Sequence, residues 1–328
     1  MFEWQESAWT AWRKASGRIP HAVLMQSGEG WGELEFALEV AQSLLCEQPK
    51  RDSHACDACQ ACVWFALGNH PDFRLVIPEN LAPEPQEGTE PAKKRSDQIR
   101  IEQVRELADF LAVGTHRAGF RVILIYPAEA MNANTQNALL KSLEEPPPAT
   151  VFLLVATQAD RLLPTVRSRC LKFNLPAPDS AGVLAWLKEQ GVAQAESALA
   201  AVGGAPIAAL KGAAAEADWL AFIEGLQRPR FDPVALADSV QRIPLGDFVG
   251  WLQRWSFDLL LARATGRVHY HLGQEGRIAE IAQRCHAADI AAYLRRLAQA
   301  RALARHPLNA KLFVEDLLLQ YQRLVAQP

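Results

Sequence analysis

Short runs of consecutive apolar residues, separated by segments with helical spacing, occupy the first half of the chain. Ala22 to Met25, Phe73 to Ile77 (broken only by Arg74), Val122 to Tyr126 and Val151 to Ala156 are such runs, the pattern of core strands buried on both faces of a parallel sheet. Between them, Leu34, Leu38, Ala41 and Leu45 recur at helical intervals, as do Ile101, Val104, Ala108 and Leu111. The spacing predicts helices that pack one face onto the sheet. Strand alternating with helix predicts an α/β fold. The stretch 78–97 is rich in Pro, Glu and Lys and poor in large apolar side chains, so it is expected to be a mobile insertion. Its Lys93, Lys94 and Arg95 could touch DNA, although a solvated charge run is the plainer expectation. Beyond Pro176 strand signals cease. Gly203, Gly204 and Pro206 punctuate a small helical segment, and patterns such as Ile290, Tyr293, Leu294 and Leu297 follow. The expected organisation is an α/β domain over 1–175 with a cysteine module inserted at about 46–72, a helical lid over 176–218 and an all-α domain over 219–328.

Composition narrows the function classes. The 328 residues are 49% apolar and 22% charged with a formal net charge of −3, a globular profile without the positive excess of proteins that hold nucleic acid by bulk electrostatics. DNA contact is therefore expected to be local or shared with partners. The apolar runs fall far short of the roughly 20 residues that span a bilayer. The start of the chain carries Glu3, Glu6 and the tryptophans at 4, 9 and 12 rather than a basic end and an apolar block, so it does not read as a signal peptide. A cytoplasmic location is expected.

His21-Ala-Val-Leu-Met25 followed by Gln26-Ser-Gly-Glu-Gly-Trp-Gly-Glu-Leu34 has the order of strand, Gly-rich turn and helix, the place of a phosphate-binding loop. A working loop has G-x-x-x-x-G-K-[ST], in which backbone amides cradle phosphate, Lys neutralises it and the hydroxyl holds Mg²⁺. Here Gly28, Gly30 and Gly32 are spaced more tightly, and Glu33 and Leu34 take the places of Lys and Ser/Thr. Glu33 opposes a triphosphate and Leu34 offers a metal nothing, so no ATP is expected to bind. The second half of such a site should be an acidic strand end, but Val122 to Tyr126 finishes in Pro127 and Ala128. Glu129, further along, is expected to be a surface or helix-start carboxylate.

Asn137-Ala-Leu-Leu-Lys-Ser-Leu-Glu-Glu-Pro146-Pro147, then Val151 to Ala156, then Leu163-Pro-Thr-Val-Arg-Ser-Arg-Cys170, resembles the AAA+ subunits of bacterial DNA polymerase III clamp loaders. In them N-A-L-L-K-x-L-E-E-P-P and S-R-C occur at this separation. The resemblance covers roughly residues 1–210, and the remainder by helical character and length only. The motif is also sound physically: Ala138, Leu139, Leu140 and Leu143 make an apolar helix face, and prolines at 146–148 stop the helix. Two kinds of subunit share these motifs, an ATP-hydrolysing motor and a non-hydrolysing partner. The motor has Lys and Thr at the positions of Glu33 and Leu34 and an Asp-Glu pair near Tyr126 and Pro127. Its lid reads G-S-[LM]-R-D-A-L where this chain has Gly204-Ala-Pro-Ile207-Ala-Ala-Leu210. At each place this chain departs from the motor, and Ile207 replaces a nucleotide-sensing Arg.

Cys46, Cys56, Cys59 and Cys62 are clustered, whereas Cys170 and Cys285 lie far away, which is a metal-site pattern rather than a disulfide framework. Four thiolates can close a tetrahedral structural zinc site. An iron–sulfur run would want a cysteine at position 66, where Ala66 stands. Iron–sulfur and free thiols remain alternatives on residue type alone. The clamp-loader subunits carry a similar module at this point, which implies zinc. His54 and His70 flank it as bystanders.

The resemblance further implies a place in an arc with the delta subunit and motor subunits (gamma/tau), acting indirectly on the beta sliding clamp and primed DNA. It implies a rigid stator whose Arg169, the Arg of S-R-C, acts in trans as an arginine finger on ATP bound next door. An ordinary ion pair at the sheet edge is the competing expectation, more so for Arg167. Two other readings compete: an active motor-type ATPase with a divergent loop, and an independent zinc-containing DNA-binding protein.

Overall fold

The computed structural model describes residues 1–15, 19–83, 95–116, 119–212, 216–228, 231–304 and 308–326. Most of the expected insertion, including Lys93 and Lys94, lies outside them. Two compact units divide the chain at Asp179 and Ser180.

The first unit contains, in chain order, α1 (Glu6–Ala15), β1 (Ala22–Gln26), α2 (Glu33–Leu45), α3 (Gln60–Ala66), β2 (Phe73–Val76), α4 (Ile101–Ala112), β3 (Arg121–Ile125), α5 (Ala133–Glu144), β4 (Thr150–Ala156), α6 (Pro164–Arg167) and β5 (Leu171–Asn174). The strands form one parallel sheet in the order β2-β3-β4-β1-β5, with Leu24 opposite Leu154 and Ile125 opposite Leu154 on its other side. Because successive side chains alternate between faces, Leu24, Ile123 and Phe152 meet α4 and α5 through Leu107, Leu139 and Leu143. Val23, Leu124 and Leu153 join Trp9 and Trp12 of α1 and Phe36 of α2 in the core on the other side. A fully buried side chain of this size contributes about 1.5–3 kcal/mol, against about 0–1 kcal/mol for an exposed ion pair, so the two layers hold the unit together.

Two expectations need correction, and one strand has no counterpart among them. The run Phe73 to Ile77 is an edge strand rather than a core one, with Arg74 and Leu75 exposed. β5, the other edge, has no apolar run to announce it, because only Phe173 of its residues is buried. In α4 the buried face is Val104, Leu107 and Leu111, and Ala108 is exposed.

The second unit is helical: α7 (Ser180–Glu189), α8 (Ala195–Ala201), α9 (Pro206–Gly212), α10 (Glu216–Leu226), α11 (Pro233–Ser239), α12 (Leu245–Thr265), α13 (Glu275–Arg284), α14 (Ala287–Leu303) and α15 (Ala310–Val325). One core joins Phe222, Phe248, Trp255, Leu297 and Tyr321, and Trp255 Nε1 donates to the Tyr321 hydroxyl at 2.8 Å. Asp258 of α12 is wholly buried and accepts from the backbone N–H groups of His269, Tyr270 and His271 and from His271 Nδ1 at 2.7 Å. Among the described residues no helix is long and apolar enough to cross a membrane.

Candidate functional site

The Gly-rich turn between β1 and α2 is closed by its own side chains. Gly32, the residue before α2, has φ 85°, and a Cβ there would lie 2.7 Å from the Phe2 ring. At Gly28 a Cβ would lie 2.3 Å from the Trp31 indole. The glycines therefore let aromatic rings approach the backbone. Gln5 Nε2 donates to the Gly32 carbonyl at 2.7 Å, and Trp4 Nε1 donates to the Trp31 carbonyl at 3.0 Å, so the N-terminal segment straps the turn. Glu33, only 3% exposed, accepts at Oε1 from Gly30 N–H (3.3 Å) and from the Tyr126 hydroxyl (3.0 Å). Its Oε2 is buried with no hydrogen-bond partner. An anion is favoured at a helix N-terminus whatever its source, and here the chain supplies its own carboxylate. Burial, reinforced by Glu33, pushes the Tyr126 phenol well above its usual range, so it stays a donor. Leu34 packs against the core on this side of the sheet.

At the end of β3, Ala128 is buried, and of the two expectations for Glu129 the surface carboxylate is wrong and the helix-start carboxylate holds. Glu129 sits in a 3₁₀ turn (Ala128–Ala130) and is 9% exposed. Its Oε1 accepts from Thr157 N–H (3.0 Å), Thr157 Oγ1 (2.7 Å) and Gln158 N–H (3.0 Å). It pins the segment after β4 to the segment after β3.

Arg169 lies between α6 and β5. Its Nη1 donates to the Thr165 carbonyl at 2.9 Å, and its Nη2 pairs with Glu144 Oε1, at the end of α5, at 2.5 Å. The guanidinium side chain is one-third exposed. Among the described residues none forms an ion pair with Arg167, whose Nε is buried without a hydrogen bond. The pair expected sooner of Arg167 is thus made by Arg169. Ile207 lies near the start of α9 in the second unit.

The four clustered cysteines converge. Cys46 follows α2, Cys59 precedes α3 and Cys62 lies within it. All four Sγ atoms are within 4.8 Å of one another, with Cys46–Cys59 and Cys56–Cys62 each at 3.9 Å. A tetrahedron with Zn–S bonds of about 2.3 Å has S···S edges of about 3.8 Å, so the cluster fits a metal ion. N–H groups point at the sulfurs, Cys56 N at Cys46 Sγ (3.3 Å) and Cys59 N at Cys56 Sγ (3.2 Å). Backbone N–H groups of Ala58 and Cys59 bring the Cys56 thiol down to about 6, while burial pushes Cys62 up to about 12. His54 and His70 stand outside the tetrad. His54 stacks on Trp9 (centroids 4.2 Å apart) and pairs with Glu39 at 2.9 Å, while Trp9 Nε1 donates to the Asp52 carbonyl at 3.0 Å. Those contacts anchor the module to α1 and α2. Sequence reasoning missed Trp9 and Glu39, since neither belongs to a motif.

The family described as DNA polymerase III, delta subunit, matches residues 4–179. DNA polymerase III subunit delta' of Pseudomonas aeruginosa is 35% identical over 276 residues, covering 81% of this chain and 79% of that protein. The delta' subunit of Yersinia pestis is 31% identical over 325 residues, covering 95% and 90%. A crystal structure of a DNA polymerase III gamma subunit-related protein from Thermotoga maritima aligns with 97% of this chain and 99% of that one at 16% identity, with a TM-score of 0.46. Across most of its length, with a Gly-rich turn closed by its own side chains and a four-cysteine cluster in place, this chain belongs to the delta-prime family of DNA polymerase III subunits.

Proposed function

We propose that this chain is the non-hydrolysing stator of a clamp loader, assembled with gamma/tau motor subunits and a delta subunit in the cytoplasm. It binds no ATP. It stays rigid while the motors move to open the beta sliding clamp and place it on primed DNA, and it presents Arg169 to ATP held by a neighbour. The observation that carries this reading is the Glu33 carboxylate accepting from Gly30 N–H, the kind of donor a phosphate would need. A motor-type ATPase would need that amide free and an acid at the end of β3, where Pro127 and Ala128 stand. The finger chemistry calls for Arg because charge spreads over equatorial phosphoryl oxygens, which a permanently charged planar donor matches. Zinc is the metal we assign to Cys46, Cys56, Cys59 and Cys62, in a site with no open ligand position and hence a structural role. We retain a lid over 176–218 and an oligomerisation domain over 219–328.

Two measurements test the proposal together. Size-exclusion chromatography with light scattering should show a stable complex with a clamp-loader motor subunit. A labelled ATP analogue should show no saturable Mg²⁺-dependent binding to the isolated chain. A homo-oligomer without affinity for the motor, or micromolar nucleotide binding lost on changes at Gly30 or Gly32, would overturn it.

A further inference from the structure

Glu144 is misplaced for the helix that carries it. It is the last residue of α5, where the helix dipole favours cations and where Lys141 already sits. The residues that follow, Pro146 to Pro148, cannot extend the helix and fix its end. Nor does the pair with Arg169 explain it through stability: the side chains are 49% and 33% exposed, and ion pairs this open to water add little. What the pair does is geometric. Glu144 holds Nη2 and the Thr165 carbonyl holds Nη1, with Ser168 Oγ at 3.4 Å from the same Nη1. Two anchors on different nitrogens fix the plane of the guanidinium, and of its five N–H donors two, one on Nη2 and the one on Nε, are left over by these partners in a side chain one-third exposed.

We propose that Glu144 is a positioning residue for Arg169: it sets the guanidinium plane so that the unspent N–H groups face an anion outside this chain. This rests on Arg169 acting in trans. A long side chain free to rotate must be ordered during each encounter, whereas one already held meets its ligand at lower entropic cost. The carboxylate does not itself touch phosphate, which it would repel. Its loss therefore lowers turnover and does not weaken ATP binding.

The test uses the fully assembled loader with five versions of this chain: unaltered, Arg169→Ala, Glu144→Ala, Glu144→Gln and Glu144→Ala/Arg169→Ala. Equal assembly is confirmed by light scattering, and kcat and KM for ATP are measured with clamp and primed DNA. The difference between unaltered chain and Arg169→Ala defines the Arg169-dependent share of kcat. Glu144→Ala should remove most of that share with KM not raised. Glu144→Gln, which keeps a hydrogen bond to Nη2, should retain more of it, and the double variant should match Arg169→Ala. An Arg169→Ala loader with full activity removes the finger and this proposal with it. An impaired Arg169→Ala loader beside a fully active Glu144→Ala one leaves the finger standing and overturns Glu144 alone. A raised KM in Glu144→Ala, or a double variant well below Arg169→Ala, would show Glu144 acting by some other route and would likewise overturn it.

Discussion

The Tyr126 hydroxyl donates to the Glu33 carboxylate at 3.0 Å, tying the residue after β3 to the first residue of α2. In a nucleotide-binding sheet this helix start and this strand end would face each other across bound phosphate and metal. Here they bond to each other, and the aromatic strap from Phe2 and Trp4 covers the turn.

Because both ends are altered, restoring one is not enough. Replacing Glu33 with Lys and Leu34 with Thr leaves Pro127 and Ala128 where metal-holding acids would stand, so water activation stays unsupported. The isolated double variant should hydrolyse ATP at background, as read by phosphate release. Turnover comparable to a motor subunit would mean that the second strand end has another acid.

Metal removal should cost stability and no chemistry. Elemental analysis should find one zinc per chain, and chelation, or Cys59→Ser, should lower the melting temperature at roughly 2–4 °C per kcal/mol lost. Iron in place of zinc, or metal-replete protein without either, would contradict the assignment.

Asp258 supplies a pH dependence. Burial works to raise its pKa, but the hydrogen bonds from His271 and from the N–H groups of His269 and Tyr270 outweigh it and hold the carboxyl below its ordinary 3.8. The unfolded chain therefore binds this proton more readily than the folded one. The stabilisation is present above about pH 3.8 and is lost as pH falls through the folded value. Asp258→Ala strands several buried donors and should cost about 3 kcal/mol or more at neutral pH. Urea midpoints of the two proteins, measured from pH 7 downward, should lie far apart at first and converge at the acid end. A gap that stays constant into strong acid would contradict the pairing.

The interior of the first unit was legible because β1, β3 and β4 are buried on both faces and show it as uninterrupted apolar runs. The edges were not. Leu75 is apolar yet 39% exposed on β2, while β5 buries Phe173 between exposed neighbours, and a half-buried edge leaves too short a pattern to read. The candidate site divided in the same way. Four cysteines at short spacing announce a cluster able to hold a metal ion, and Glu33 in the place of a Lys announces a turn unlike a working phosphate loop. What Glu33 does in that turn needed coordinates, since Tyr126 lies 93 positions from Glu33 and Gly30 reports nothing of its partner. The same holds for Glu144, an ordinary motif residue until Arg169 is seen beside it.

The central claim is that this chain, without ATP chemistry of its own, completes a neighbour's. Arginine fingers are worth roughly 10³ to 10⁵ in rate at the site they serve, but only the neighbouring ATP site would feel this one, so the loss for the whole loader should be partial. The most direct measurement compares clamp- and DNA-stimulated ATP hydrolysis by loaders carrying Arg169→Ala or Arg167→Ala, after equal assembly is confirmed. The account predicts a clear loss of hydrolysis and clamp loading with Arg169→Ala and near-normal activity with Arg167→Ala. Unchanged activity in the Arg169 variant, or an equal defect in both, would contradict it.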